Sequence, residues 1–310
     1  MLSGPILVTG GTGFLARGIY RRAAKENWPC TFTAYSRDEE KQFRLRNRWP
    51  HIRCILGDVR DTERLELAMA GHEIVIHTAA VKYIPEAEFN ASECLAINTG
   101  GAQAVISAAR RAGVRKVIGI STDKAAAPIN VYGCSKMAME RLFAEASTPE
   151  ITFTCVRYGN VIGSTGSVIP LFRQQARELG KVTLTDPKMT RFWMSVDEAI
   201  DLILLALNNP PSPGAIFIPL VRSMKMGDVV LAAVGEVPVD IIGLRPGEKM
   251  HERLLHYEES VRVELFSDHF RLYPPGHSTG VEPFTLSSQN PHHWMEISSM
   301  REFIADAQEV

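Results

Sequence analysis

The sequence predicts an α/β protein in which a doubly wound parallel sheet carries a smaller α/β region built from the later part of the chain. Three observations predict it. Short apolar runs alternate with helix-length segments through the first 125 residues, a glycine-rich turn follows the first of those runs, and after about residue 160 the texture changes to Gly/Ser/Pro clusters between helices and short strands. With 310 residues the chain exceeds one small module and falls short of three ordinary domains, so one large or two closely packed domains are expected.

Residues 5–9 (PILVT), 31–35 (TFTAY), 52–56, 73–77 (EIVIH) and 116–121 (KVIGIS) are almost continuously apolar, as strands covered on both faces must be. Between the last two, residues 98–113 have helical spacing and close on Arg110, Arg111 and Gly113, a basic last turn followed by a stop. A helix is expected from near Tyr132, then a strand over 151–158, and right-handed crossovers join the units. Helices follow over 168–179, 196–208 and 226–234. The run 208–214 (NNPPSPG) is a connection and not a domain linker, because ordered patterning resumes at once. Residues 274–289 read as an extended loop, and a short helix after Ile297 closes the chain. The expected division is a nucleotide-binding domain over 1–165, completed by segments near 190–220, and a substrate-binding region over 166–310.

Composition narrows the function. Hydrophobic residues make up 45% and charged residues 22%, enough for a sizeable core. Lys plus Arg is 34 against 35 for Asp plus Glu, so no overall field draws the chain to nucleic acid or to an anionic membrane. No apolar run reaches the ~18 residues of a membrane span, and the N-terminus runs directly into the glycine motif, which leaves no room for a signal peptide. Five cysteines without a C-x-x-C pair argue against a disulfide framework or a thiolate zinc site and fit a reducing, cytoplasmic setting. His77, His251 and the pair His292–His293 lack ligand spacing, so no metal is expected.

The turn Gly10-Gly11-Thr12-Gly13-Phe14-Leu15-Ala16 follows the first strand and opens a helix. Gly10 permits the tight turn, Gly13 the close approach of a pyrophosphate, and Ala16 close helix–strand packing, while free N–H groups at the helix start receive the anion. This is a Rossmann-type dinucleotide site, with Thr12, Phe14 and Leu15 along its rim. At the end of the second strand, Ser36, Arg37 and Lys41 stand where NAD-preferring sites carry an acid, and they suit the 2′-phosphate of NADP. Asp58 and Val59 after the third strand are expected near the adenine. Ala79 and Ala80, after the fourth, leave room for the cofactor, and Lys82 is expected between cofactor and substrate.

The fifth strand ends in Ser121-Thr122-Asp123-Lys124, followed by Tyr132 and Lys136, which are four apart and share a helix face. The Lys136 ammonium is expected to lower the phenol pKa and bind ribose hydroxyls, so that Tyr132 takes a proton from an alcohol as hydride leaves, beside Thr122. This arrangement resembles the extended short-chain dehydrogenase/reductase superfamily. A simple dehydrogenase or 4-epimerase needs nothing more. The added acid and base, Asp123 and Lys124, point to further chemistry such as elimination of water; the bland alternative is a surface ion pair.

Longer motifs sharpen the resemblance: Ser36-Arg37-Asp38-Glu39, STDKAAAPINVYGCSK (121–136), RYGNVIGSTGSVIP (157–170), MTRFW (189–193) and GLRPGEKMHE (243–252). In this order they are similar to UDP-N-acetylglucosamine 4,6-dehydratases, above all the soluble inverting group that begins pseudaminic-acid synthesis. The resemblance implies that Tyr132 deprotonates the C4 hydroxyl as hydride passes to NADP, that Lys124 removes the C5 proton, and that Asp123 protonates the departing C6 hydroxyl. Hydride then returns to C6, and C5 is reprotonated on the opposite face. It further implies a homo-oligomer and a UDP-GlcNAc site that uses Asn160, Ser167, Val168, Thr190, Arg191 and Arg245. Glu248 would orient Arg245 or bind a ribose, and Asn98 would orient backbone or water unless it simply caps a helix. Two departures stand out: Ala16 replaces the third glycine, and HTAAVKYIP (77–85) lacks the family's third alanine and its His after the lysine. Tyr132 sides with the soluble group, since the larger membrane-anchored relatives commonly carry Met there. The competing readings are a 4-epimerase or reductase, a C5-retaining dehydratase and, from another class, an NADP-binding regulatory protein.

Overall fold

Each apolar run of the first half becomes a parallel strand: β1 (Gly4–Thr9), β2 (Cys30–Ser36), β3 (Arg53–Leu56), β4 (Ile74–His77), β5 (Lys116–Thr122) and β6 (Thr152–Tyr158). The computed structural model describes residues 2–164, 166–209 and 212–307; Pro210 and Pro211 of the 208–214 connection lie outside them. The strand order is β3-β2-β1-β4-β5-β6, extended by Ile216–Pro219 in parallel and then by His269–Leu272 and Val263–Leu265 in antiparallel, nine strands in all. Ile6, Leu7 and Val8 are completely buried, as their unbroken apolar run requires. Strand order reverses between β1 and β4, so the crevice at their C-terminal ends is where an open α/β sheet binds ligands.

Helix α1 (Phe14–Lys25) crosses over the sheet with Ala16 fully buried. A Cβ on Gly18 would lie 2.6 Å from Val196 Cγ2, so α1 packs tightly on the helix Val196–Asn208 from the later part of the chain. A second, smaller sheet places Thr190–Met194 between Arg222–Lys225 and Asn160–Val161, with His293–Trp294 at its edge. Around it the helices Val168–Leu179, Met226–Val234 and Ile297–Asp306 share a separate apolar cluster that includes Phe172, Trp193, Met224, Val229 and Met300.

Two stretches differ in detail from expectation. The 98–113 helix begins at Gly101 and is preceded by a wide π-turn, Ala96–Gly100, which removes Asn98 from any capping position. Within 274–289 the chain forms a two-residue strand, Leu286–Ser287, against Arg253–Leu255. No helix among the described residues is long and apolar enough to cross a membrane.

A buried charge cluster braces the C-terminal end of β5 and β6. Arg157 on β6 has no exposure and reaches Glu140 at 2.6 Å and Glu259 at 2.7 Å, while Ser121 on β5 donates to Glu140 at 2.5 Å. The cluster joins β5, β6, the helix Val131–Ala146 and the turn Tyr257–Ser260.

Candidate active site

The glycine turn is built for an anion. Gly10 has φ 66°, and a Cβ there would lie 2.7 Å from Thr78 Oγ1 and 2.9 Å from the Ala79 nitrogen. Gly13 donates to the Gly10 carbonyl at 2.8 Å and then serves as the N-cap of α1 with no side-chain hydrogen bond, and no acid sits in the first turn. The N–H groups there have no side-chain acceptor, which leaves them for a ligand. Facing them, Val81 is clamped through both its N–H (2.8 Å) and its carbonyl (2.9 Å) by the Asn98 amide, which also donates to Ser135 Oγ at 2.9 Å. Asn98 thus orients backbone, tying the loop of Ala79, Ala80 and Lys82 to the helix Val131–Ala146.

At the end of β2 the three expected phosphate ligands differ in availability. Arg37 is exposed. The Lys41 ammonium is held 2.8 Å from Asp38, and Ser36 Oγ accepts from Gln42 at 3.0 Å. Asp58 is gripped by Arg60 through Nε (2.9 Å) and Nη2 (2.7 Å), which holds its carboxyl down to about 2. Val59 is buried, close enough to Gly101 that a Cβ there would meet it at 2.9 Å.

At the end of β5, Thr122 donates to Asp123 Oδ1 at 2.9 Å, and Lys124 Nζ reaches the same oxygen at 2.9 Å. Asp123 is fully buried and its Oδ2 has no hydrogen-bond partner. Burial would lower the Lys124 pKa, but the charges of Asp123 and of Glu252, 3.8 Å away, outweigh it and raise it. The next turn passes through Ala127 at φ 47°, a left-handed conformation that alanine seldom adopts. Asn130 then caps the helix Val131–Ala146 by accepting from Gly133 N at 2.7 Å, and it donates to the Gly247 carbonyl at 2.8 Å. Gly133 is required: a Cβ would lie 2.3 Å from the Lys124 carbonyl oxygen.

Burial lifts the Tyr132 phenol to about 12, against the pull of the Lys124 charge and a hydrogen bond with Thr122. The Lys124 charge thus acts on the phenol beside the Lys136 expected from the four-residue spacing. Burial brings Lys136 down to about 8, and among the described residues its ammonium is hydrogen-bonded to the thioether sulfur of Met139, at 3.2 Å. His77 lies close by, pushed down to about 3 by burial and by Lys136, with Nδ1 on Thr9 Oγ1 at 2.8 Å; it stays neutral and structural.

The second half of the chain supplies the far wall. Arg191 is buried and donates through Nη1 to the carbonyls of Thr190 (2.8 Å) and Met250 (3.3 Å). Thr190, expected as a donor to the sugar, instead has its hydroxyl engaged by His251 at 2.8 Å and Ser288 at 2.7 Å, and anchors the 250–252 segment. Arg245 pairs with Glu248 at 2.5 Å, which keeps the Glu248 carboxyl low although burial would raise it. Ser167 Oγ is buried without a partner at the start of the helix Val168–Leu179. Asn160 is half-buried on the strand beside Trp193. On the loop after β4, the Lys82 ammonium stands 5.5 Å from the Tyr83 ring centre.

Two residues that sequence reasoning passed over join this site. Glu252, 2% exposed, lies between Lys124 and Lys249, 3.8 Å from each, and Lys249 donates to the Ala126 carbonyl at 3.1 Å. Both belong to the GLRPGEKMHE motif, so their signal was present beside Arg245 and Glu248. Among the described residues no group of three or more His, Cys, Asp or Glu side chains is placed to hold a metal.

Residues 6–274 match the family described as polysaccharide biosynthesis protein. A UDP-N-acetylglucosamine 4,6-dehydratase (inverting) from Campylobacter jejuni is 41% identical over 87% of this chain and 82% of its own. A UDP-glucose 4-epimerase from Rickettsia massiliae is 38% identical over 92% of this chain and 87% of its own. The X-ray structure of Pen from Bacillus thuringiensis superposes with a TM-score of 0.91, at 32% identity, over 99% of this chain and 98% of that one.

Proposed function

Since the chain belongs to the polysaccharide biosynthesis protein family, we propose that it is a cytoplasmic, NADP-dependent UDP-N-acetylglucosamine 4,6-dehydratase that inverts C5 and works as a homo-oligomer. One observation carries the reading: a buried acid and a lysine, Asp123 and Lys124, in contact at 2.9 Å beside Tyr132. The Campylobacter relative's name supports it.

The residues present fit a nicotinamide dinucleotide. Gly10 and Gly13 form a cradle that a Cβ would fill, the start of α1 offers unclaimed N–H groups, and the buried Lys136 ammonium faces a thioether where ribose hydroxyls would be far better acceptors. Exposed Arg37 is suited to a 2′-phosphate. When bound, this cofactor supplies a hydride acceptor for C4 and a donor for C6, with no net redox change.

Tyr132 takes the C4 hydroxyl proton, a task helped by the Lys124 charge that lowers the cost of the phenolate. The C4 ketone then acidifies the proton on C5. For Lys124 to remove it, the lysine must be a neutral amine, and for Asp123 to protonate the departing C6 hydroxyl, the aspartate must be an acid. One proton moved across the 2.9 Å hydrogen bond from Lys124 to Asp123 produces both forms at once. After elimination Asp123 is again a carboxylate and Lys124 an ammonium, so the pair returns to its starting charges without bulk solvent. Arg191, Arg245, Asn160 and the orphaned Ser167 hydroxyl are the groups assigned to the nucleotide sugar.

The Rickettsia relative's name favours a second reading, C4 epimerisation of a UDP-sugar. It uses Thr122, Tyr132 and Lys136 and leaves Asp123 and Lys124 without a task. Mass spectrometry of the sugar nucleotide after incubation separates the two: a dehydratase removes one water, and an epimerase leaves the mass unchanged.

A further inference from the structure

Glu252 has no part in the scheme above, yet it is a carboxylate buried to 2% exposure against the reacting lysine. Its Oε1 lies 3.8 Å from Lys124 Nζ and its Oε2 3.8 Å from Lys249 Nζ. Oε2 has no hydrogen-bond partner. The backbone around it is fixed: Glu252 N donates to Ser288 Oγ at 2.9 Å, Ser288 N to the Glu252 carbonyl at 2.8 Å, and Ser288 Oγ bonds Thr190. A carboxylate buried in this way is costly unless a nearby charge repays it. Lys249, itself tethered to the Ala126 carbonyl at 3.1 Å, supplies such a charge.

We infer that Glu252 is a positioning residue for C5 deprotonation: its fixed negative charge stabilises the ammonium that forms on Lys124, and Lys249 keeps that charge in place. This rests on the dehydratase reading. In the elimination step the C5–H bond breaks, its proton passes to the Lys124 nitrogen, and the electron pair moves to the C4 ketone as an enolate. That enolate expels the C6 hydroxyl, which leaves as water with the proton from Asp123. Lys124 gains positive charge while Asp123, becoming a carboxylate, has just begun to offset it. The Glu252 carboxylate 3.8 Å away lowers the energy of that ammonium relative to the neutral amine that precedes it, without moving, as preorganised groups do. The charged and titratable groups that face Lys124 are Asp123 from its own turn, Tyr132 from the helix Val131–Ala146, Arg191 from the smaller sheet, and Glu252 and Lys249 from the 249–252 segment. Arg191 opposes the ammonium, so Glu252 also cancels a neighbouring positive charge.

The test is Glu252→Gln, with Glu252→Asp beside it, in single turnovers of the NADP-loaded protein with UDP-GlcNAc across pH. The proposal expects dehydration to slow on the order of tenfold to a hundredfold in Glu252→Gln, while the early absorbance rise at 340 nm from C4 oxidation stays near wild type. It also expects the falling limb of the dehydration rate against pH, where the Lys124–Asp123 pair loses its shared proton, to move to lower pH as the plateau falls, because without the Glu252 charge the ammonium is held less firmly. Glu252→Asp should return part of both effects. A plateau that falls with an unmoved limb, or a C4 oxidation that slows equally, marks a merely structural residue and overturns the inference. If Glu252→Gln does not fold, Glu252→Asp decides: an unchanged limb and rate with the shorter acid count against it. Wild-type protein that never dehydrates UDP-GlcNAc overturns the dehydratase reading and this inference together, whereas wild-type turnover with an indifferent Glu252→Gln overturns the inference alone.

Discussion

Lys124 Nζ and Asp123 Oδ1 are 2.9 Å apart, with the carboxylate fully buried and 15% of the lysine side chain exposed. A surface ion pair between adjacent residues would contribute little and do nothing. Here burial removes the competing water, so the position of one proton between the two groups becomes a chemical variable.

Changing either member should therefore abolish elimination before it harms folding. Asp123→Asn keeps the shape and removes the acid; Lys124→Met keeps the stem and removes the base. Both should cut formation of the 6-deoxy product by roughly 10²–10⁴, while the 340 nm signal of C4 oxidation persists in Asp123→Asn and slows in Lys124→Met, which also removes the charge acting on Tyr132. Loss of that signal as well would place the pair in binding instead of elimination.

Cofactor affinity should depend on pH through Lys136. Its folded pKa is depressed from the usual lysine value to about 8, so the protein holds the ammonium below that pH and loses it as pH rises through it. Since the ammonium is the form that donates to ribose hydroxyls, NADP affinity should be flat below about 8 and weaken above it. Titration calorimetry checks this, and Lys136→Met should flatten the dependence.

Arg37 and Lys41 should not contribute equally to NADP preference. Lys41 is tied to Asp38 at 2.8 Å, whereas Arg37 is exposed at the strand end. Arg37→Ala should weaken NADP about tenfold or more, the scale of one charge-assisted contact, and leave NAD unchanged. Lys41→Ala should alter NADP binding far less. Equal losses would move the 2′-phosphate toward the helix Glu39–Arg48.

The brace behind the site predicts a stability effect. Arg157→Leu leaves Glu140 and Glu259 buried without their shared cation. Breaking such a pair from one side costs about 3–5 kcal/mol, to be read from the urea midpoint. A loss under about 1 kcal/mol, the scale of an exposed pair, would show that water reaches the cluster.

Most of the first sheet could be read from the chain because strands covered on both faces must be apolar throughout, and a turn such as Gly10–Gly13 has few structural uses. Asp123, Lys124, Tyr132 and Lys136 were readable because one strand end and one helix hold all four. What stayed hidden depends on contacts between distant segments. Thr190 looks like a free donor until His251 and Ser288 close on it. Glu252 looks like one more charge in a motif until folding sets it against Lys124. The π-turn that aims Asn98 at Val81 has no local signature, since its residues suit an ordinary helix as well.

Elimination by Asp123 and Lys124 leaves a signature on the sugar itself. The most direct test is proton NMR of the purified protein with UDP-GlcNAc and NADP in deuterated water. Elimination with inversion gives a new C6 methyl signal, deuterium at C5 and the couplings of the L-arabino 4-keto sugar, all lost in Lys124→Met. Interconversion at C4 with the C6 methylene intact and no deuterium at C5 would contradict it.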